Sequence, residues 1–322
     1  MKGLIMNHSG RRFVDTHTHH QPFSRDAGQR LAELLQSAAD SGLAGVMFSD
    51  HYDIDTVPPG KPQDVFDLDE AYREWQEEAL PAGEQLGIKT YFGIEIGYQP
   101  HLLEQCLELA ASDLFDGVIL SIHMINRLDP FFDVEFYESG KIPTYARYLD
   151  SLSEIVAAVP GYAIAGHYDY MVRYAPYEDP EIYYEEMPKE FDGFFQTLIE
   201  NKKCWEINIR SHYRRRRGKL AGSGIQGQHQ ALYTPDPLLL EPRFQVAGYY
   251  FPDPRLVRRY LELGGKMVSL ASDAHSGEAG NGFPLIAEYL AACGLKEITH
   301  FEKGQPVFTP LITPPKAMTP SS

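Results

Sequence analysis

Residues 12–19 read Arg12-Phe13-Val14-Asp15-Thr16-His17-Thr18-His19, a short apolar run that ends in two histidines separated by one residue. A strand over Arg12–Thr16 would deliver both imidazoles at its C-terminal end. The same figure recurs along the chain. Short apolar runs predict further strands at Gly45–Ser49, Thr90–Ile94, Gly117–Ser121, Ala163–Gly166, Cys204–Asn208 and Met267–Ala271. Longer amphipathic stretches between them predict helices at Gly28–Ser41, Asp67–Leu86, Leu102–Ala111, Tyr145–Ala158, Glu181–Asn201 and Pro254–Leu263. Strand–helix alternation at this rhythm implies a parallel α/β sheet, and about seven repeats imply a closed barrel rather than an open sheet. Two segments break the rhythm: Asn126–Pro143, and a loop insertion over about 209–252 that carries the basic run Arg214–Arg217. The tail 309–322, with four prolines, reads as an extended end. No linker divides the rest, so a single barrel domain over 1–308 is expected.

In a parallel barrel every strand C-terminus opens onto one face, where reactive residues gather. Beside His17 and His19, that face would receive His51 from Ser49-Asp50-His51 and Glu95 from Gly93-Ile94-Glu95. It would also receive His123 from Ser121-Ile122-His123, His167 from Gly166-His167-Tyr168, and Asp273 and His275 from Ser272-Asp273-Ala274-His275. Any one of these alone reads as a polar residue satisfied at a strand end. Repeated at successive strand ends, the set reads as a metal site, because imidazole nitrogen and carboxylate oxygen together suit Zn, Mn or Fe.

Bulk properties narrow the partners. The chain has 322 residues, with 29 Lys+Arg against 45 Asp+Glu, a formal charge of −16 and 43% hydrophobic residues. That length suits one large barrel or two ordinary domains, and the aromatic content of 12% excludes intrinsic disorder. The acidic balance argues against a nucleic-acid polymer or an anionic membrane as partner. No stretch approaches the ~20 apolar residues of a membrane span. The opening residues lack the apolar core of a signal peptide, so a cytoplasmic protein is expected. Cys106, Cys204 and Cys293 lie far apart without CxxC spacing, which excludes a disulfide framework or a cysteine-rich zinc site. Oligomeric state leaves no mark on the sequence.

The constellation resembles the PHP (polymerase and histidinol phosphatase) superfamily and, within it, the histidinol-phosphatase branch. DTHTHHQPFSRDA (15–27) is similar to the family's opening motif, SDH (49–51) to its second and GIEIGY (93–98) to its third. SIH (121–123), GHYDY (166–170), EIN (206–208) and SDAH (272–275) follow in the expected order, so the resemblance covers most of the chain. It implies a distorted seven-stranded (β/α)7 barrel with three divalent metal ions, Zn, Mn or Fe, at the C-terminal face. It further implies that the first ion takes His17, His19, Glu95 and Asp273. Glu95 would bridge to a second ion held also by His123 and His167, and the third would take Asp26, His51 and His275. Of these, Glu95, Asp273 and His275 would serve catalysis.

Charge then suggests the chemistry. Three divalent ions against three carboxylates leave a pocket of about +3, suited to a phosphate monoester dianion and a hydroxide formed from metal-bound water. In-line attack on phosphorus needs mostly positioning and electrostatics from the protein. The resemblance implies hydrolysis of L-histidinol phosphate to L-histidinol and phosphate, with a small anionic ester as partner. The alternatives are another small phosphomonoester, a nucleotide phosphodiester or, from a different class, a metal-stabilised binding module. Arg173, Arg210 and His212 are the candidate substrate-binding residues; a surface ion pair is the competing reading for Arg173. Family phosphatases carry small residues after EIN, whereas this chain has Ile209-Arg210-Ser211-His212-Tyr213, a departure that bears on the substrate. Asp15 is expected to support an imidazole from behind the metals. His8, His20, His101, His229 and His300 fall outside the motifs and read as ordinary surface or core residues.

Overall fold

The computed structural model describes residues 12–56, 63–161, 163–212, 236–247 and 249–311. Seven strands follow the expected rhythm: β1 (Val14–Thr18), β2 (Gly45–Phe48), β3 (Lys89–Gly97), β4 (Gly117–Ser121), β5 (Ala163–Ala165), β6 (Cys204–Asn208) and β7 (Val268–Ala271). They pair in parallel in that order. Between β1 and β7 a single parallel bridge joins Thr18 to Ala274, and Asp273 N donates to His17 O at 2.9 Å. The barrel is therefore nearly closed, and its seam runs through the predicted site.

Two layers of core follow from the alternation of strand side chains. Val14, Met47, Tyr91, Ile119, Ile164 and Cys204 form one apolar layer inside the barrel, with Phe301 packed against them. One step further along β6, Trp205 points outward and is fully buried among Tyr168, Phe195 and Tyr260. The helices supply the outer wall. Lys141–Ala158 buries Tyr145, Tyr148, Leu149, Leu152, Ile155 and Val156, the stripe expected of a helix with one face on a core.

Local departures from strict regularity aim the site. The β1–β2 register shifts between Asp15 and Thr18. A bulge of this kind lets Val14 join the apolar layer while His17 and His19 both reach the strand-end face; strict alternation would set Val14 and His17 on opposite sides. Strand β3 runs past its predicted end at Ile94. Its first half pairs with β2, and its second half pairs with the two-residue strand His51–Tyr52, placing His51 directly beside Glu95.

Several elements differ from the sequence expectation. The helix expected from Glu181 starts at Pro188, whose fixed φ and missing N–H suit a first helical position. The helix Phe283–Cys293 and the antiparallel hairpin Glu297–Glu302/Gln305–Pro310 were not expected. That helix buries Phe283, Ile286, Ala287, Tyr289, Leu290 and Cys293, and its open side is apolar apart from Glu288, so no polar face reveals a period. The extended tail begins later than residue 309: Thr309 and Pro310 belong to the hairpin, and Arg12 Nη2 donates to Pro310 O at 2.7 Å. The rest of that tail, 312–322, lies outside the described residues. So do Arg214–Arg217 and most of the insertion. Its two ends meet where Tyr250 N donates to His212 O at 2.8 Å. Among the described residues, no helix is long and apolar enough to cross a membrane.

Candidate metal centre

Glu95 is the hub. Fully buried at the inner face of β3, its carboxylate is ringed by five imidazoles. Oε1 lies 2.9 Å from His167 Nε2 and 3.2 Å from His123 Nε2, and accepts the Ser121 hydroxyl at 2.6 Å. Oε2 lies 2.6 Å from His51 Nδ1, 3.3 Å from His17 Nε2 and 3.7 Å from His19 Nε2. Burial alone would raise the pKa of this carboxyl; His17, His123 and His51 outweigh it and hold Glu95 well below the usual carboxylate range.

Asp273 is a second focus across the barrel seam. Its Oδ1 lies 3.3 Å from His19 Nε2 and 3.4 Å from His275 Nδ1, and its Oδ2 accepts from Arg173 Nη1 at 2.7 Å. Asp273 has a φ of 52°, left-handed backbone that Asp tolerates better than most residues and that here places its amide on His17 O. Burial works against its charge, yet Arg173 and Arg210 hold it well below the usual range. Asp26 sits at the rim with its side chain 57% exposed, 2.9 Å from His275 Nε2 and 3.6 Å from His51 Nε2.

All nine candidate ligands therefore meet at one place. Four overlapping trios each bring their donor atoms within 4.8 Å: His17/His19/Glu95, His51/Glu95/His123, His17/His167/Asp273 and His19/His51/His275. The donor set fits divalent cations. His17 Nε2, His19 Nε2, His51 Nδ1 and Glu95 Oε2 are buried and have no hydrogen-bond partner among the described residues, although they face one another. A divalent cation lying among these ring nitrogens and carboxylate oxygens would satisfy them together. The donors are nitrogen and oxygen, as Zn, Mn or Fe prefer. The three cysteines are buried and free, and none belongs to these trios.

Arg173 is no surface ion pair. It is buried, bridges Asp273 Oδ2 and Ser211 Oγ (2.8 Å), and keeps Nη2 without a partner among the described residues. Arg210 is more open and reaches Asp273 and His275 through Nη1. His212 stands apart from the ligands; its Nε2 lies 3.4 Å from Asp169 Oδ2, with both residues buried.

The supporting residues differ in part from the sequence expectation. Asp15 touches no imidazole. It accepts the backbone N–H groups of Ser272 and Gly280, each at 2.9 Å, and of His17 at 3.4 Å, so it locks the barrel seam; burial pushes it up to about 6. The support expected of Asp15 comes from Glu206 and Asp53. Glu206 Oε2 lies 2.9 Å from His17 Nδ1, and its Oε1 accepts His167 N and Asn208 Nδ2, each at 2.9 Å. Asp53 Oδ2 lies 2.8 Å from His123 Nδ1. Gly97 makes room for it: a Cβ there would overlap Asp53 Oδ1 and crowd His123 Nδ1. One signal for Glu206 was available in the sequence. An acid inside the apolar strand Cys204–Asn208 is costly unless a buried partner waits for it. His20 is no ordinary core residue either. It sits between Asp50 Oδ2 and Glu74 Oε1, each at 2.8 Å, which outweigh burial and push it up to about 9.

Comparison with known proteins finds relatives that span most of the chain. A "Probable histidinol-phosphatase" of Clostridium acetobutylicum is 26% identical over 290 residues, covering 90% of this chain and 96% of that protein. A histidinol-phosphatase of Lactococcus lactis is 26% identical over 257 residues, 80% of this chain and 82% of its own. The crystal structure of Lactococcus lactis histidinol phosphate phosphatase, complexed with Zn, L-histidinol and phosphate, superposes with a TM-score of 0.69. It is 23% identical and covers 92% of this chain and 100% of that one. The PHP domain family model matches residues 15–210, more than half of the sequence, and the chain belongs to that family.

Proposed function

We propose that this chain is a metal-dependent phosphomonoesterase that hydrolyses L-histidinol phosphate to L-histidinol and phosphate. The observation that carries the reading is the carboxylate of Glu95 with five imidazoles around it, beside a buried arginine whose Nη2 has no partner among the described residues. His17, His19, Glu95 and Asp273 would hold one ion, Glu95, His123 and His167 a second, and Asp26, His51 and His275 a third. Bound divalent ions supply Lewis acidity, neutralising phosphoryl oxygens and generating the nucleophile from water near neutral pH.

The chain's own residues do the rest. Glu206 and Asp53 hold the Nδ1 atoms of His17 and His123, which aims each Nε2 at Glu95. Asp273 anchors Arg173 and Arg210 so that their remaining N–H groups are available to phosphoryl oxygens, where guanidinium donors bind well. Glu95, Asp273 and His275 are the catalytic residues in this reading. The nature of the relatives supports histidinol phosphate as the ester, and the acidic exterior supports a small substrate rather than a nucleic-acid polymer.

The test is a turnover screen of the metal-loaded protein against histidinol phosphate, other phosphomonoesters and a simple phosphodiester. A monoester carries about two negative charges near neutral pH and a diester about one, so a cationic site favours the former. The expected kcat/KM for histidinol phosphate exceeds that for the diester by at least ~100-fold, about 2.7 kcal/mol of transition-state preference. A diester preference would move the chain to phosphodiester chemistry, and histidinol phosphate among the poorest monoesters would overturn the substrate.

A further inference from the structure

The Ser24 hydroxyl has one proton and two lone pairs, and the structure gives it three neighbours. Asp50 Oδ1 lies at 2.7 Å, His19 Nδ1 at 3.1 Å and the backbone nitrogen of His51 at 3.1 Å. The His51 N–H can only donate, so it fills one lone pair. Asp50 is an acceptor on every side: Oδ1 also takes His20 N at 2.7 Å, and Oδ2 faces His20 Nδ1 at 2.8 Å. The opposite nitrogen of His20 meets Glu74 Oε1 at 2.8 Å. The single Ser24 proton therefore goes to Asp50, and its second lone pair is left facing His19 Nδ1. That nitrogen must carry a hydrogen, because a bare nitrogen against a bare oxygen at this distance would repel.

We propose that Ser24 is a positioning residue that fixes His19 as its Nδ1–H tautomer and so leaves a lone pair on Nε2 for a divalent ion. Nε2 is buried without a hydrogen-bond partner, 3.3 Å from Asp273 Oδ1 and 3.7 Å from Glu95 Oε2, between two groups that would share a cation with it. The opposite tautomer would donate from Nε2 to Asp273 and shut the ion out. Glu74, His20 and Asp50 hold Ser24 in this role as a relay from an outer helix to the metal centre. The inference rests on the reading of His19 as a ligand. It is distinct from that reading, since tautomer and metal affinity are measured separately.

Protein labelled with 15N-histidine, stripped of metal, reports the tautomer by long-range 1H–15N NMR. Wild type is expected to show His19 protonated at Nδ1, and Ser24→Ala to populate the Nε2–H form. Zinc titration is expected to find affinity about 10- to 100-fold weaker in Ser24→Ala, with Ser24→Thr, which keeps the oxygen, close to wild type. Wild-type His19 protonated at Nε2 would overturn the proposal, whether or not the variants fold. So would a Ser24→Ala protein with unchanged tautomer and zinc affinity. A wild-type protein that binds no zinc would instead overturn the ligand reading, while the tautomer populations would still decide the role of Ser24.

Discussion

Replacing Glu95 by Gln is expected to leave the barrel folded, lower the metal content below that of wild type, and cut phosphatase turnover by at least ~10³-fold, about 4 kcal/mol. The argument is one of charge at fixed shape. Glutamine fills the same volume at the inner face of β3, but it removes the negative charge around which His17, His19, His51, His123 and His167 gather. It also places an amide N–H₂ against ring nitrogens that need a cation, so more than one ion should be lost together. Elemental analysis of purified protein gives the metal count, circular dichroism the fold, and phosphate release the activity. Wild-type turnover with full metal loading in Glu95→Gln would remove Glu95 from the mechanism.

A second large effect is expected at Arg173. Its guanidinium is buried and tied to Asp273 and Ser211, so its unpartnered Nη2 is fixed in place before any substrate arrives. Preorganised donors of this kind contribute on the order of 10²–10³ in rate when they meet developing charge. Arg173→Met is expected to lower kcat/KM for histidinol phosphate by about that factor, roughly 3–4 kcal/mol. Metal content should change far less, because Arg173 touches a ligand without being one. Arg173→Lys should recover only part of the loss, since one ammonium cannot bridge Ser211 and Asp273 while still presenting a donor. Equal kcat/KM in wild type and Arg173→Met would show that Arg173 serves the fold alone.

Much of this cluster was legible in the sequence because its candidate ligands have positional meaning. A histidine or carboxylate follows six of the seven apolar runs, a strand-end position in any parallel barrel, and all these ends share one face. The supporting shell was harder to read. Asp53 looks like any acid near a strand, and although an acid inside the apolar run Cys204–Asn208 marks Glu206 as needing a partner, only the fold shows that His17 and His123 wait beside the two. Asp15 was misjudged for a related reason: its place beside His17 in sequence suggested an imidazole partner, whereas the bulge in β1 turns it to backbone amides across the seam. The helix Phe283–Cys293 is hidden in the sequence because its open side carries Pro284, Leu285, Ala291 and Ala292 beside the single acid Glu288, and so lacks the polar face that makes a period visible. His20 was passed over as an ordinary residue; its two carboxylate partners come from positions 30 and 54 residues away, beyond the reach of any local pattern.

The most direct test of the account is phosphate release from histidinol phosphate by protein stripped of metal and then titrated with zinc or manganese. Asp26 stands half in solvent while the other ligands are buried or nearly so, so the site it shares with His51 and His275 should load last and empty first. The stripped protein is expected to be inert, and turnover is expected to return on titration and to reach its plateau at three ions per chain. Undiminished phosphate release by protein shown to hold no metal would contradict the account.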